Sequence, residues 1–192
     1  NPCLSDRGYA SWRKEYDDQG QEISSAFFGI DGKPCLINAG YASLHCEYDE
    51  RGNEISCAFF GTDGKPCLRD EGYATWRKEY DGRRNVISCS FFGTDGKPCL
   101  SDEGCAIWRK EYEAHGNDIS CAFFGTDGEP CISKFGYASS HSEYDERGNK
   151  ISCAYFGTNG RPRLSNEGYA SWRKEFDERG NITYCAYFGT DG

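Results

Sequence analysis

Apolar and polar residues alternate with a period of two in short stretches of this chain. In residues 86–92 the apolar Ile87, Cys89 and Phe91 are separated by Ser88 and Ser90, the signature of a half-buried strand. Residues 73–80 are rich in aromatics, lack Gly and Pro, and predict a partner strand. Between them, residues 81–85 form a polar loop, and Gly93-Thr94-Asp95-Gly96 closes the second strand with an Asp-Gly turn signal. The predicted unit is a β-hairpin. Apolar residues at three-four spacing are missing and glycines punctuate every segment, which argues against helix.

The unit recurs without insertion or deletion. A Phe-Gly step falls at Phe28, Phe60, Phe92, Phe124, Phe156 and Phe188, so six units of 32 residues account for all 192. All six prolines (Pro2, Pro34, Pro66, Pro98, Pro130, Pro162) share one repeat position, as do all four tryptophans. The predicted organisation is one continuous array of repeats 1–32, 33–64, 65–96, 97–128, 129–160 and 161–192. A lone two-stranded hairpin is marginal in water, so each unit must lean on its neighbours. The expected architecture is therefore all-β, with tandem hairpins stacked into an elongated solenoid or superhelical rod. Gly192 followed by Asn1 would rebuild an internal junction, so the array is expected to continue beyond this window.

Register follows from the faces. A four-residue loop is expected to place Trp76 and Tyr80 on the same face as Ile87, Cys89 and Phe91, and Thr75, Arg77 and Glu79 on the other face beside Ser88, Ser90 and Phe92. Phe92 interrupts the alternation, and cover from the hairpins before and after it is the expected reason. In repeat three the loop glycine sits at Gly82 rather than at the position of Gly52 and Gly148, which predicts a local difference.

The copies also align with one another. Four repeats carry Trp-Arg-Lys-Glu and an acidic turn before it; repeats two and five read Leu44-His45-Cys46-Glu47 and Ser140-His141-Ser142-Glu143 and lose both features. Joint loss predicts a contact between acidic turn and basic strand, and a superperiod of three repeats.

Net charge is −9, from 22 basic and 31 acidic residues without a basic run, which argues against nucleic acid and anionic membrane as partners. No apolar stretch approaches the ~20 residues of a membrane-spanning helix. Twelve cysteines favour an oxidising, extracellular or cell-surface setting. Ten form two periodic series, and only one pairing of entry with second-strand cysteines leaves none stranded inside the window: Cys3–Cys57, Cys35–Cys89, Cys67–Cys121, Cys99–Cys153 and Cys131–Cys185. Such a ladder would staple each repeat to the next. The alternative is a seam of small buried thiols. Cys46 and Cys105 stand outside both series and are expected to be unbridged or linked to another chain.

Catalytic chemistry finds no candidates. No two cysteines have zinc-ribbon spacing, His45, His115 and His141 do not recur in every repeat, and no single Ser or Cys stands out as a nucleophile. No metal site, cofactor or enzymatic activity is expected. The ladder of Trp12, Trp76, Trp108, Trp172, Tyr9, Tyr41, Tyr73, Tyr137 and Tyr169 reads first as packing between hairpins and second as a platform for sugar rings.

Residues 47–55 (Glu47-Tyr48-Asp49-Glu50-Arg51-Gly52-Asn53-Glu54-Ile55) resemble the Tyr-Asp repeats of bacterial Rhs/YD proteins. Ala154-Tyr155-Phe156-Gly157-Thr158-Asn159-Gly160 is similar to the aromatic-aromatic-Gly step of cell-wall-binding repeats. These resemblances imply β-hairpin units and a secreted or surface location. The expected function is a non-enzymatic structural repeat protein forming a disulfide-stapled fibre, stalk or appendage, its partners being neighbouring copies of itself. The alternative is a module binding polysaccharide or cell wall through its Trp/Tyr ladder.

Overall fold

The computed structural model describes residues 3–191, so Pro2, the first of the proline series, and the junction expected between Gly192 and Asn1 lie outside the described residues. Each repeat contributes one hairpin, a six-residue strand followed by a seven-residue one: β1 Ser11–Tyr16 and β2 Glu22–Phe28, β3 Ser43–Tyr48 and β4 Glu54–Phe60, β5 Thr75–Tyr80 and β6 Val86–Phe92. The series continues with β7 Ile107–Tyr112 and β8 Asp118–Phe124, β9 Ser139–Tyr144 and β10 Lys150–Phe156, β11 Ser171–Phe176 and β12 Ile182–Phe188. All twelve strands form one open antiparallel sheet whose spatial order is the chain order. No helix occurs among the described residues. Contacts divide the chain into two compact units: the described residues up to Glu79 with Cys89–Ser101, and Tyr80–Ser88 with the described residues from Asp102 onward.

One kind of turn recurs through the described residues, three times in repeat one. In repeat one, the Asp17 N–H donates to the Gln21 carbonyl and the Gly20 N–H to the Asp17 carbonyl, both at 3.0 Å. The same pair of bonds closes 5–9 through Ser5, Gly8 and Tyr9, and 29–33 through Gly29, Gly32 and Lys33. This is a type I turn followed by a left-handed residue, the geometry of three-residue hairpin loops. Glycine fills the left-handed place in all three, with φ of 90° at Gly8, 79° at Gly20 and 74° at Gly32. Repeat three corrects one expectation. With its glycine displaced to Gly82, the loop keeps the same hydrogen bonds (Asp81 N–H to Asn85 O, Arg84 N–H to Asp81 O), and Arg84 itself adopts φ 70°.

Register agrees with the expected faces over most of each hairpin. Trp12 pairs with Phe27 and Lys14 with Ser25; Leu44 pairs with Phe59 and Cys46 with Cys57; Trp108 pairs with Phe123 and Lys110 with Cys121. Near the loop a β-bulge intervenes, so Tyr48 pairs with Glu54 rather than Ile55, and Tyr112 with Asp118. The expected four-residue loop is thus a three-residue loop followed by a bulge, which in repeats two and four sets the tyrosine against a carboxylate.

Neighbouring hairpins meet edge to edge through backbone hydrogen bonds. β2 pairs β3 with Ser25 opposite Leu44, β4 pairs β5 with Cys57 opposite Trp76, and β10 pairs β11 with Cys153 opposite Trp172. Beyond the strands, adjacent turns are tied as well: the Asn38 N–H donates to Arg7 O, Asp70 to Ala39 O, Lys134 to Glu103 O and Asn166 to Phe135 O. Strand-terminal tyrosines add a further tie, Tyr48 Oη to Glu22 O and Tyr112 Oη to Val86 O, both 3.0 Å. In repeats one, three and four the second phenylalanine of the Phe-Phe step finds cover within its own hairpin, beneath an arginine on the opposite strand. Arg13, Arg77 and Arg109 stand 5.4, 5.0 and 4.9 Å from the ring centroids of Phe28, Phe92 and Phe124.

Candidate functional site: the aromatic face and its thiols

Alternation along the strands sends Trp, Lys and the paired Cys and Phe to one face of the sheet. On it the turn tyrosines and the first aromatic of each Phe-Phe or Tyr-Phe step form a ladder of rings within each unit. In the first unit the rings run Tyr9, Phe27, Tyr41, Phe59, Tyr73, Phe91 with centroids 4.8 to 6.1 Å apart. In the second they run Phe123, Tyr137, Tyr155, Tyr169, Tyr187 at 4.5 to 6.0 Å. Phe59, Tyr73, Phe91 and Phe123 are buried, so here the ladder is core. Burial raises the Tyr73 and Tyr137 phenols above the ordinary range. Arg69, from the turn of repeat three, lays its guanidinium over Tyr41, Phe59 and Tyr73 at 6.0, 4.9 and 5.5 Å and pairs with Glu71 at 2.9 Å. At position 105 a cysteine, fully buried, stands where the other repeats carry the turn tyrosine.

The tryptophans flank this ladder and are not equivalent. Trp76 is buried, Trp12 is half exposed, and Trp172 donates its indole N–H to Tyr155 Oη at 3.3 Å. Each has the lysine two residues on above its ring, at 5.3 Å for Trp12, 3.9 Å for Trp76, 5.6 Å for Trp108 and 4.5 Å for Trp172. Those lysines find acids in the opposite strand: Lys14 binds Glu22, and Lys110 lies 3.5 Å from Asp118. The acidic turns pair elsewhere, Glu71 with Arg69 and Asp102 with Lys134.

Where a repeat lacks tryptophan, a recess opens. Ser140 lines one of about 390 Å³ in the second unit, with Trp108, Phe135, Tyr137 and Tyr155 as apolar walls and Glu103, Lys110, Asp118 and Lys150 at its polar edge. Leu44 lines the counterpart of about 320 Å³ in the first unit, beside Tyr9, Trp12, Lys14 and Tyr41. The missing indoles were visible in the sequence; that their loss leaves a concavity was not.

The cysteines depart from the expected ladder, and none of its five pairs is bonded. From Cys35 onward, each entry cysteine instead reaches back to the turn of the preceding repeat. Cys35 Sγ donates to Gly8 O, Cys67 to Gly40 O, Cys99 to Gly72 O and Cys131 to Gly104 O, at 3.6 to 3.8 Å. Burial pushes these thiols up, which keeps the proton on sulfur and the bond intact. Arg163 breaks the series by identity alone, since its Nε donates to Gly136 O at 2.7 Å. The Cys35 N–H is tied to Phe27 O beside β2, whereas Cys89 lies in β6. Four strand spacings are about 19 Å, far beyond the span of a disulfide.

Second-strand cysteines lie on the aromatic face; Cys89 and Cys153 are buried, and burial pushes the Cys121 thiol up to about 11. Cys46, expected to be unbridged or linked to another chain, forms the one disulfide among the described residues, with Cys57 directly across its own hairpin.

No protein-family model matches the chain, and comparison with curated proteins finds no match. Among solved structures, the chain is similar to part of a Tc holotoxin pore of Photorhabdus luminescens, with 15% identity and a TM-score of 0.41 over 91% of this chain and 9% of that one. A TcdB2–TccC3–Cdc42 complex matches with 15% identity and a TM-score of 0.41, over 92% of this chain and 9% of the other. The chain therefore spans about a tenth of the length of the structures it resembles.

Proposed function

We propose that this chain is a non-enzymatic structural repeat protein, each unit extending an elongated solenoid or rod that serves as a fibre, stalk or surface appendage in an extracellular, oxidising setting. The observation that carries this reading is the repetition of one joint. Within each unit, successive repeats are linked by strand pairing, by a Cys or Arg side chain on a turn carbonyl, and by a backbone bond between adjacent turns. A joint that serves one pair of repeats serves the next, so growth by addition of identical units needs no new contact. Its partners on this reading are further copies of itself. Electron microscopy of the array under non-reducing conditions checks it: rods whose length scales with repeat number are expected, and compact particles of constant diameter would count against it.

The recesses at Ser140 and Leu44 favour a second reading, a module for polysaccharide or cell wall. Aromatic walls with charged groups at the rim suit sugar rings, which present both apolar faces and hydroxyls. Retention on peptidoglycan or polysaccharide columns, weakened by Trp108→Ala with the fold intact, is the expected behaviour; equal passage of both proteins removes this reading.

A further inference from the structure

In repeat one, three side chains near the loop of the hairpin touch one another: Lys14 and Ser25 both bind the Glu22 carboxylate. Glu22 and Ser25 are three residues apart, a spacing that sends two side chains to opposite faces of a regular strand. The bulge beside the loop, where Tyr16 pairs with Glu22, restores them to the same face. Repeat two has the same register and the same bulge, with Cys46 opposite Cys57 and Tyr48 opposite Glu54. Its three equivalent positions hold Cys46, Cys57 and Glu54, whose ligand atoms all lie within 4.8 Å of one another. Both cysteines are buried, and no other repeat places two thiols and a carboxylate at these positions.

We propose that Cys46, Cys57 and Glu54 form a redox-gated site for a single divalent cation of the zinc class. Two thiolates and a carboxylate are a soft-to-borderline donor set that favours such a metal over calcium or magnesium. Bonds of about 2.3 Å to sulfur in a tetrahedral field separate two sulfurs by about 3.8 Å, so the pair must part from its covalent bond before it can hold the metal. The three ligands carry three negative charges against two on the cation, and Lys78, which acts electrostatically on Glu54, offsets the remaining one. Oxidised, the two sulfurs are bonded to each other and the site is closed. A dithiol reductant opens it by exchange: two electrons and two protons pass to the Cys46–Cys57 bond, and the reductant leaves as its own disulfide. Metal binding then releases the two thiol protons.

The test is titration of the full chain with Co(II), after reduction by a phosphine and its removal under nitrogen. Ten further cysteines could take up metal elsewhere, so the reading is the difference from Cys46→Lys and Cys46→Ser, which reproduce the Lys110–Cys121 and Ser142–Cys153 pairs. Wild type is expected to bind one more equivalent than either variant, with added thiolate-to-cobalt absorption, and Glu54→Gln to weaken that equivalent about tenfold or more. Zinc should also shield Cys46 and Cys57 from alkylation in the wild-type peptide map, a readout independent of any variant's folding. Equal uptake by wild type and Cys46→Lys, unchanged affinity in Glu54→Gln, unshielded cysteines, or the same uptake by oxidised protein would each overturn the proposal.

Discussion

Repeats two and four have the same backbone and different side chains. Leu44, Cys46 and Tyr48 face Phe59, Cys57 and Glu54 in one; Trp108, Lys110 and Tyr112 face Phe123, Cys121 and Asp118 in the other. Replacing an indole by an isobutyl group and an ammonium by a thiol moves neither the register nor the bulge. What the two share is the first phenylalanine of the second strand and turns of one geometry with a left-handed glycine, Gly52 or Gly116. The turns and the ring ladder therefore set the frame. The Trp and Lys positions decorate it and are open to other chemistry.

The largest break in this comparison comes from the shared part. Phe59→Ala removes a buried ring between Tyr41 and Tyr73 and should cost about 3–5 kcal/mol by chemical denaturation, whereas Leu44→Ala, at the variable position, should cost clearly less. Next, Cys46→Lys rewrites repeat two in the chemistry of repeat four. Its disulfide closes a loop with a separation of 11 residues, so the variant should lose about 3 kcal/mol under oxidising, metal-free conditions and almost nothing once both proteins are reduced. Smaller and of opposite sign is Arg84→Gly, which gives repeat three the turn residue that the other repeats possess. It relieves a non-glycine residue at φ 70° and should stabilise by about 1 kcal/mol.

The smallest effect concerns the turn aspartates. The Asn53 side-chain amide and the backbone N–H groups of Asn53 and Arg51 hold the Asp49 carboxyl below its usual range, and Asp81, Asp145 and Asp177 are held down in the same way by Asn85, Asn149 and Asn181. A carboxyl depressed on folding stabilises fully above its unfolded value of about 3.9. That contribution drains away as pH falls through the lower folded value. Thermal stability should therefore drop below about pH 4. In Asp49→Asn, which keeps an acceptor but loses the charge, the drop should be shallower.

Much of the frame was legible because turn chemistry repeats exactly. Loop 81–85 and strand Val86–Phe92 emerge at their expected bounds, while the first strand begins at Thr75, two residues inside the expected 73–80. Tyr73 belongs to the preceding turn, where its carbonyl accepts the Arg69 N–H, a turn of the same kind as the two hairpin loops. The bulge left no mark in the alternation, since the tyrosine and isoleucine it separates are both apolar. The thiols misled for a different reason. A periodic cysteine suggests a bond to another periodic cysteine, but the partner is a backbone carbonyl, which has no sequence signature. Arg163 was the clue, for an arginine can replace a hydrogen-bond donor and cannot replace half of a disulfide.

The side-chain ties that reach back from each repeat have fixed reach: 26 residues for the strand-end tyrosine, 27 for the entry cysteine or arginine, and 32 for Asn38 and Asn166 on the turn before them. All of them run toward sequence already made. At about 5–20 residues per second, a ribosome delivers one repeat in roughly 2–6 seconds, and within a compact unit each newcomer meets a finished template with all the acceptors it needs. Such a chain can be assembled in the order of its synthesis, each segment docking on its elder and in turn supplying the carbonyls, such as Ala74 O for the Phe59 N–H and Glu178 O for Arg147, that complete it.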